Sequence, residues 1–245
     1  METHWFYLPA ARPGLQPLDE ASTRHAVQVL RMRTGDALVV TDGLGQVYHG
    51  TLANVGKKDC TVQLAKPVQQ PRQPHRRVGL AVSPLKNTGR FEWLLEKATE
   101  LGVADIFPLL CHRTVRQHFR HERLQAVCIS AMLQSQQAWL PVLHQPLTVQ
   151  ALLQQLADGL LHYQHRWIAH CASMEKHQLA SAVQPGMADS LLLIGPEGDF
   201  TQEEIVAALQ VGMAAVSLGP TRLRTETAGV VGASLLCLLP GGKGW

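Results

Sequence analysis

Residues 191–239 read LLLIGPEGDFTQEEIVAALQVGMAAVSLGPTRLRTETAGVVGASLLCLL, and this stretch decides the fold. Residues 191–194 form a short apolar run stopped by Gly195, the pattern of a buried strand more than of a helix. The turn Gly195-Pro196-Glu197-Gly198 follows. Thr201 and Glu204 stand at capping-box spacing, and Ile205, Ala208, Leu209 and Gly212 recur at helical intervals. A second short apolar run, 214–218, closes on Gly219-Pro220. Residues 222–227, RLRTET, lead into the almost wholly apolar 228–239, too short to span a bilayer and read as a buried helix. The order is strand, glycine loop, helix, strand, glycine loop, buried helix. Two glycine loops at the ends of adjacent strands mark the place where open α/β sheets take small ligands. Neither loop has the G-x-G-x-x-G or G-K-[ST] spacing, and a lone G-x-x-G is ordinarily a plain turn.

Taken together, the two segments say more. Residues 194–200, IGPEGDF, followed by 217–228, SLGPTRLRTETA, resemble the paired signature of the SPOUT methyltransferases, and most closely that of the RsmE family. The resemblance implies an α/β fold: a SPOUT-type knotted parallel sheet with flanking helices, preceded by a small PUA-like β-barrel. It implies S-adenosyl-L-methionine as cofactor, bent in the loops of a trefoil knot. The implied reaction is methylation of N3 of a uridine in 16S ribosomal RNA of the small subunit, by a homodimer whose subunits share each site. Nothing in the periodicity points to a knot, and knots are rare enough that physics alone argues against one.

Composition sets wider bounds. A chain of 245 residues can bury a sizeable core in one or two domains, and 46% hydrophobic with 17% charged residues is ordinary for a globular protein. No apolar run reaches membrane length. The opening METHWFYLPAARPG has no basic region before an apolar core, so no signal peptide is expected. Five scattered cysteines without a CxxC pair fit a reducing cytoplasm better than a disulfide framework. His118 and His121 lack a third ligand at metal spacing, so no metal is expected. Charge is uneven: residues 1–150 hold 17 Lys and Arg against 11 Asp and Glu, and residues 151–245 hold 5 against 8. A polyanion would prefer the first part, although a solvated surface accounts for the same excess.

Residues 1–72 read as the small β domain. A helix is expected over 19–32, with Leu18, Ala21, His25, Val29 and Met32 along one face, and strands over 37–41, 46–52 and 60–64. The segment HAVQVLRMRTGD, 25–36, resembles the family's H-x₃-V-L-R-x₃-G-D, which belongs to its RNA-binding barrel. His25 beside an apolar face is read as packing. Arg24, Arg31, Arg33, Lys57 and Lys58 are read as a group of phosphate contacts. The proline-rich 67–74, PVQQPRQP, is read as an extended linker. It sets a boundary that leaves 73–245 as the methyltransferase domain.

In that second part, strands are expected over 78–83, 106–109 and 166–171, and helices over 90–101, 124–138 and 148–157. Residues 86–103 resemble the family's K-x-x-R-x-E-W-x-x-x-K-A-T-E-L-G-V. Glu96 and Glu100, beside Lys97, are read as a charged surface stripe or an intersubunit contact. Lys86 and Arg90 stand where a strand end meets a helix start, and are candidates for RNA phosphate or substrate. The most basic run, HRTVRQHFRHER over 112–123, adds Arg113 and Arg116 as RNA contacts, with Phe119 able to stack on a base; a solvated loop is the alternative. Here the chain departs from the family. Cys111-His112-Arg113 replaces S-E-R, and in 132–137, MLQSQQ, the family's acid and arginine are replaced by Leu133 and Gln137.

For the cofactor, the resemblance points to backbone groups of Ile194, Gly195, Gly198, Leu218, Gly219 and Leu223, where glycine lets main chain come close. Leu193, Leu218 and Leu223 are expected to wall an apolar adenine slot. Glu197 either holds the ribose hydroxyls or is a solvent-facing turn residue. On the substrate side the candidates are Arg224, to steady a uracil oxygen or a phosphate, and Glu226, to accept the N3 proton. The competing reading makes 224–227 a helix start, with Thr225 or Thr227 as cap and Glu226 at its positive end. Both threonines also count among the cofactor-site candidates. Two other functions fit the same residues: an RNA-binding protein without catalysis, motivated by Leu133 and Gln137, and a SPOUT enzyme with another target.

Overall fold

The computed structural model describes residues 3–56, 59–72, 77–115, 119–184 and 186–239. The chain divides into two compact units, Met1–Arg72 with Met132–Leu140, and Gln73–Ala131 with Pro141–Trp245.

The first unit is built on one sheet. Its strands are β1 (His4–Tyr7), β2 (Gly14–Pro17), β3 (Ala37–Thr41), β4 (Gln46–Val55), β5 (Cys60–Leu64) and β6 (Val68–Gln69), in the order β1-β3-β4-β5-β2 with β6 on β4. Alternation sends Phe6, Leu38, Val40, Tyr48, Leu52 and Val62 to one side, where they bury Ala26 and Met32. On the other face Val39 and Val47 pack with Ala138, beside Trp5 and Trp139. The expected strand over 60–64 is the observed one, and that over 46–52 runs on to Val55. Part of the expected linker is β6, and its residues 73–74 lie outside the described ones.

The expected helix over 19–32 is cut short. Asp19 caps α1 (Glu20–Arg24) by accepting the Ser22 N–H, and His25–Val29 then widens into a π turn. The buried face differs from the expected one: Thr23 and Ala26 are buried, whereas Ala21, His25 and Val29 are exposed. His25 keeps an edge contact with the Phe6 ring, 6.3 Å between centroids.

The second unit alternates strand and helix. Its strands are β7 (Val78–Val82), β8 (Asp105–Leu110), β9 (Val142–Leu143), β10 (Leu147–Thr148), β11 (His165–Ala169), β12 (His177–Gln178), β13 (Ser190–Ile194) and β14 (Ala214–Ser217). Its helices are α2 (Thr88–Glu100), α3 (His121–Gln134, the last three residues clustering with the first unit), α4 (Val149–Ala157), α5 (Leu179–Ala182), α6 (Gln202–Gln210) and α7 (Thr225–Leu238). The strands pair in parallel in the order β10-β8-β7-β13-β11-β14-β12, with β9 also on β8. The strand β13 enters between β7 and β11, both of which precede it in the chain. Helices cover both faces, which is why β7 and β13 are buried throughout and read as unbroken apolar runs. One face packs α4 and α6 residues, among them Leu152, Leu156, Ile205 and Ala208. On the sheet, α7 lies against β7 and β13, and it also packs on α2.

The starts of the parallel strands hold a buried polar cluster. Asp105 accepts hydrogen bonds from Arg77 Nη2 (2.8 Å) and Tyr163 Oη (2.9 Å) and is 3.0 Å from His144 Nε2. Burial alone would raise the Asp105 pKa, but the hydrogen bonds from His144 and Arg77 outweigh it and hold the carboxyl at about 2. The Tyr163 hydroxyl is pushed up, first by burial and then by Asp105.

Candidate functional site

At the other ends of those strands, Ala169 pairs with both Ile194 and Val216, so the loops leaving β11, β13 and β14 start side by side. These loops and the start of α7 wall one cavity of about 530 Å³. It gathers Ile194, Gly195, Glu197, Leu218, Gly219, Leu223, Arg224 and Thr225 from the residues named on sequence grounds. Ala169, Val216, Leu218 and Leu223 give it an apolar wall, and Glu197, Asp199, Lys176, Arg222 and Arg224 bring charges of both signs.

Several expected residues lie elsewhere. Leu193 is fully buried in the core between the sheet and α4 and α6, so it walls no adenine slot. The carbonyl of Gly198 accepts Arg113 Nη1 at 2.7 Å, and that nitrogen also reaches the Phe200 carbonyl at 3.3 Å. Arg113 therefore braces the first glycine loop instead of standing free for RNA. Thr227 is an exposed residue of the first turn of α7. Glu226 is buried away from the cavity wall: one carboxylate oxygen is 3.6 Å from Arg90 Nε and the other has no partner among the described residues. Glu226 is thus placed against Arg90 and is not among the residues that line the cavity.

The loops are held by side chains. Thr201 and Glu204 form the expected capping box at the start of α6, and the second oxygen of Glu204 accepts the His112 N–H at 2.8 Å. Neither Thr225 nor Thr227 caps α7. Arg224 occupies the cap position without a side-chain bond, and the buried Thr225 hydroxyl donates to the Gly195 carbonyl at 3.1 Å. That bond ties the second glycine loop to the first. Gly195 is a glycine for a local reason, since an added Cβ would sit 3.0 Å from the Phe200 ring. At Gly219 an added Cβ would meet nothing within 4 Å.

A third wall escaped the sequence reading. His170 and Cys171 follow β11, and Lys176 folds back to donate to the carbonyls of His170 (3.0 Å) and Ala172 (2.9 Å). His170 is buried, and neither ring nitrogen has a partner among the described residues. Burial, and then the Lys176 cation, lower its pKa against the opposing pull of Asp199, which favours the neutral imidazole. The signal in the sequence was the strand itself, expected over 166–171, but its end carries no glycine to mark a ligand loop.

The other residues named for RNA are spread apart. Arg24 pairs with Glu20 at 2.7 Å along α1, and Arg31 is exposed at φ 54°. Lys86 is exposed, Arg90 faces Glu226, and Arg116 lies outside the described residues. On the surface of α2, Lys97 bridges Glu96 (2.7 Å) and Glu100 (2.9 Å). Gln137, where the family arginine would stand, donates to Ser135 Oγ at 3.0 Å. Among the described residues no group of three or more His, Cys, Asp or Glu is placed to hold a metal ion, and no helix is long and apolar enough to cross a membrane.

Comparison with known proteins bears on the whole chain. The model of an RNA methyltransferase domain matches residues 71–237, and that of an RNA methyltransferase PUA domain matches residues 18–65. The ribosomal RNA small subunit methyltransferase E of Synechocystis sp. is 32% identical over 219 residues, 87% of this chain and 70% of the relative. The protein of the same name from Mycobacterium bovis is 31% identical, over 84% of this chain and 80% of its own. A methyltransferase structure from Legionella pneumophila, in complex with the bound cofactor SAM, superposes with a TM-score of 0.84 at 29% identity, covering 96% of this chain and 97% of that one.

Proposed function

The chain belongs to the RNA methyltransferase family, and on that premise we propose that it methylates N3 of a uridine in 16S ribosomal RNA, using S-adenosyl-L-methionine. The observation that carries this reading is the cavity where β11, β13 and β14 end, walled by two glycine loops and edged by Arg224. Its residues fit that cofactor: an apolar wall for adenine, glycines that let main chain come close to the polar edges, and carboxylates near a ligand that bears a sulfonium. When bound, the cofactor supplies an electrophilic methyl on sulfur.

The chain's share is position and electrostatics. Uracil N3 must lie in line with the methyl and close to it. Its proton must leave, because neutral N3 has no free lone pair, and the developing uracil anion needs a cation or a donor beside it. Arg224 is exposed, on the rim, and carries no capping bond that would occupy it. We assign it to a uracil oxygen. Ile194, Gly195, Leu218, Gly219 and Leu223 offer the main chain for the cofactor, and Glu197 the carboxylate for its ribose. Glu226 is assigned to holding Arg90. Arg31, Lys86 and Arg90 are assigned to the RNA. The resemblance also supports a cytoplasmic homodimer, and Trp93 on α2 and Leu238 on α7, 44% and 47% exposed, are apolar surface for it.

Transfer of tritium from labelled cofactor to unmodified small subunits, with the product nucleoside identified by mass spectrometry, tests the proposal. Appearance of 3-methyluridine supports it. Another methylated nucleoside would move the target, and no transfer at all would favour an RNA-binding protein without catalysis.

A further inference from the structure

Asp199 sits at φ 64°, one of only three described residues other than glycine in the left-handed region. An L side chain there costs backbone energy that glycine would not pay, so the aspartate must return something. One carboxylate oxygen accepts the Cys171 N–H at 2.8 Å, and the other accepts its own neighbour's N–H, Phe200, at 2.9 Å. The Asp199 N–H donates to the Pro196 carbonyl at 2.9 Å, closing the first glycine loop on itself. The loop it reaches, 171–176, is closed on its own side by Lys176 and by the Met174 N–H on the Ala172 carbonyl at 3.0 Å. Asp199 is therefore the side chain that joins the loop after β11 to the loop after β13, and both line the cavity.

We propose that Asp199 is a positioning residue: it fixes the third wall of the cofactor cavity before the cofactor arrives, so that the 171–176 loop need not be ordered on binding. A charged acceptor makes a stronger bond to a main-chain N–H than a neutral one. Ordering a loop at the moment of binding subtracts directly from affinity, and a tie already in place removes that loss. The inference rests on the proposed cofactor and goes beyond it, because it assigns the loop's order to one carboxylate.

Asp199→Gly separates this role from plain structural support. Glycine relieves the left-handed backbone while removing both side-chain bonds, so the two effects on global stability oppose each other. The full chain is compared with Asp199→Gly and Asp199→Asn by amide hydrogen exchange without ligand, by thermal unfolding, and by calorimetric titration with S-adenosylmethionine. The expected result is faster exchange over 171–176, a nearly unchanged unfolding midpoint, and roughly tenfold weaker binding for Asp199→Gly, about 1.4 kcal/mol. Asp199→Asn keeps one acceptor oxygen and tolerates positive φ, so it falls between. Unchanged exchange at Cys171, or binding within twofold of wild type, overturns the proposal. A midpoint that falls in step with affinity also overturns it, by making the role a general structural one. If the wild-type chain takes up no S-adenosylmethionine, the proposed function fails instead, and exchange at Cys171 alone decides whether Asp199 holds the loop.

Discussion

The bond between Thr225 and Gly195 ties the two glycine loops together. Thr225 is buried, and its hydroxyl donates to the Gly195 carbonyl at 3.1 Å. Thr225→Val keeps the shape and removes the donor, leaving a buried carbonyl without that partner. Such a loss costs about 1–3 kcal/mol, more than the ~1 kcal/mol that an ordinary hydrogen bond adds. In a chain of this size each kcal/mol moves the unfolding midpoint by about 2–4 °C, so a drop of roughly 2–12 °C is expected. The bond joins both walls of the cavity, so cofactor affinity should fall with stability. Thr225→Ser retains the donor and should restore both within a small margin set by the lost methyl. Scanning calorimetry of the second unit's transition, with and without S-adenosylmethionine, reads the two effects on one sample. A Thr225→Val protein as stable as wild type, binding with unchanged affinity, would show that the loops are held without this bond.

Three further outcomes follow from the same geometry. Because the folded Asp105 carboxyl lies at about 2, below its ordinary 3.8, its contribution of about 2 kcal/mol is complete above pH 4 and is lost as pH falls through that window toward 2. Acid unfolding of Tyr163→Phe, which removes one donor to Asp105, should begin at a higher pH than that of wild type; coincident profiles would contradict this. Gly79→Ala would set a Cβ 2.7 Å from the Tyr163 hydroxyl and 2.9 Å from Leu191, and overpacking should cost about 1–3 kcal/mol in urea unfolding, the prediction failing if the midpoint does not move. Arg224→Ala should abolish methyl transfer while cofactor affinity in calorimetry stays within about threefold, and a variant as active as wild type would remove Arg224 from the mechanism.

Much of this was legible in the sequence where local chemistry decides it. The strand before Gly195, the capping box of Thr201 and Glu204, and the buried helix after Arg224 are all fixed by neighbours within a few residues. The π turn at His25–Val29 was not, because the hydrophobic period does not change where Ala26 and Met32 enter the core. The helix expected over 124–138 ends at Gln134, with Gln136 at φ 55°, and Ala138 goes to the sheet of the first unit. No local signal foretells that, since its partners Val39 and Val47 lie about a hundred residues earlier. The same limit governed the site. Eight of the named residues meet at the cavity because they sit in two adjoining motifs, whereas His170, Cys171 and Lys176 arrive only through the pairing of β11 with β13 and β14.

Parallel strands give the second unit two chemically different ends, and the division explains which substitutions should do what. At the strand starts, Arg77, Asp105, Tyr163 and Asp189 are engaged with one another through side-chain or main-chain bonds: Asp189 accepts the Arg77 N–H at 2.8 Å, and Asp105 takes the Arg77 and Tyr163 side chains. At the strand ends, polar groups are held but unsaturated: Arg224 has no capping bond, and both His170 ring nitrogens lack partners among the described residues. A buried polar group without a partner lowers stability, and such groups persist where a ligand completes them. Changes at the first end should therefore alter acid and denaturant resistance with cofactor affinity intact, while changes at the second should alter affinity more than stability. Thr225 is the informative exception, because it stands at the ligand end yet is fully satisfied, and a stability loss there equal to its affinity loss is what the tie between the loops requires.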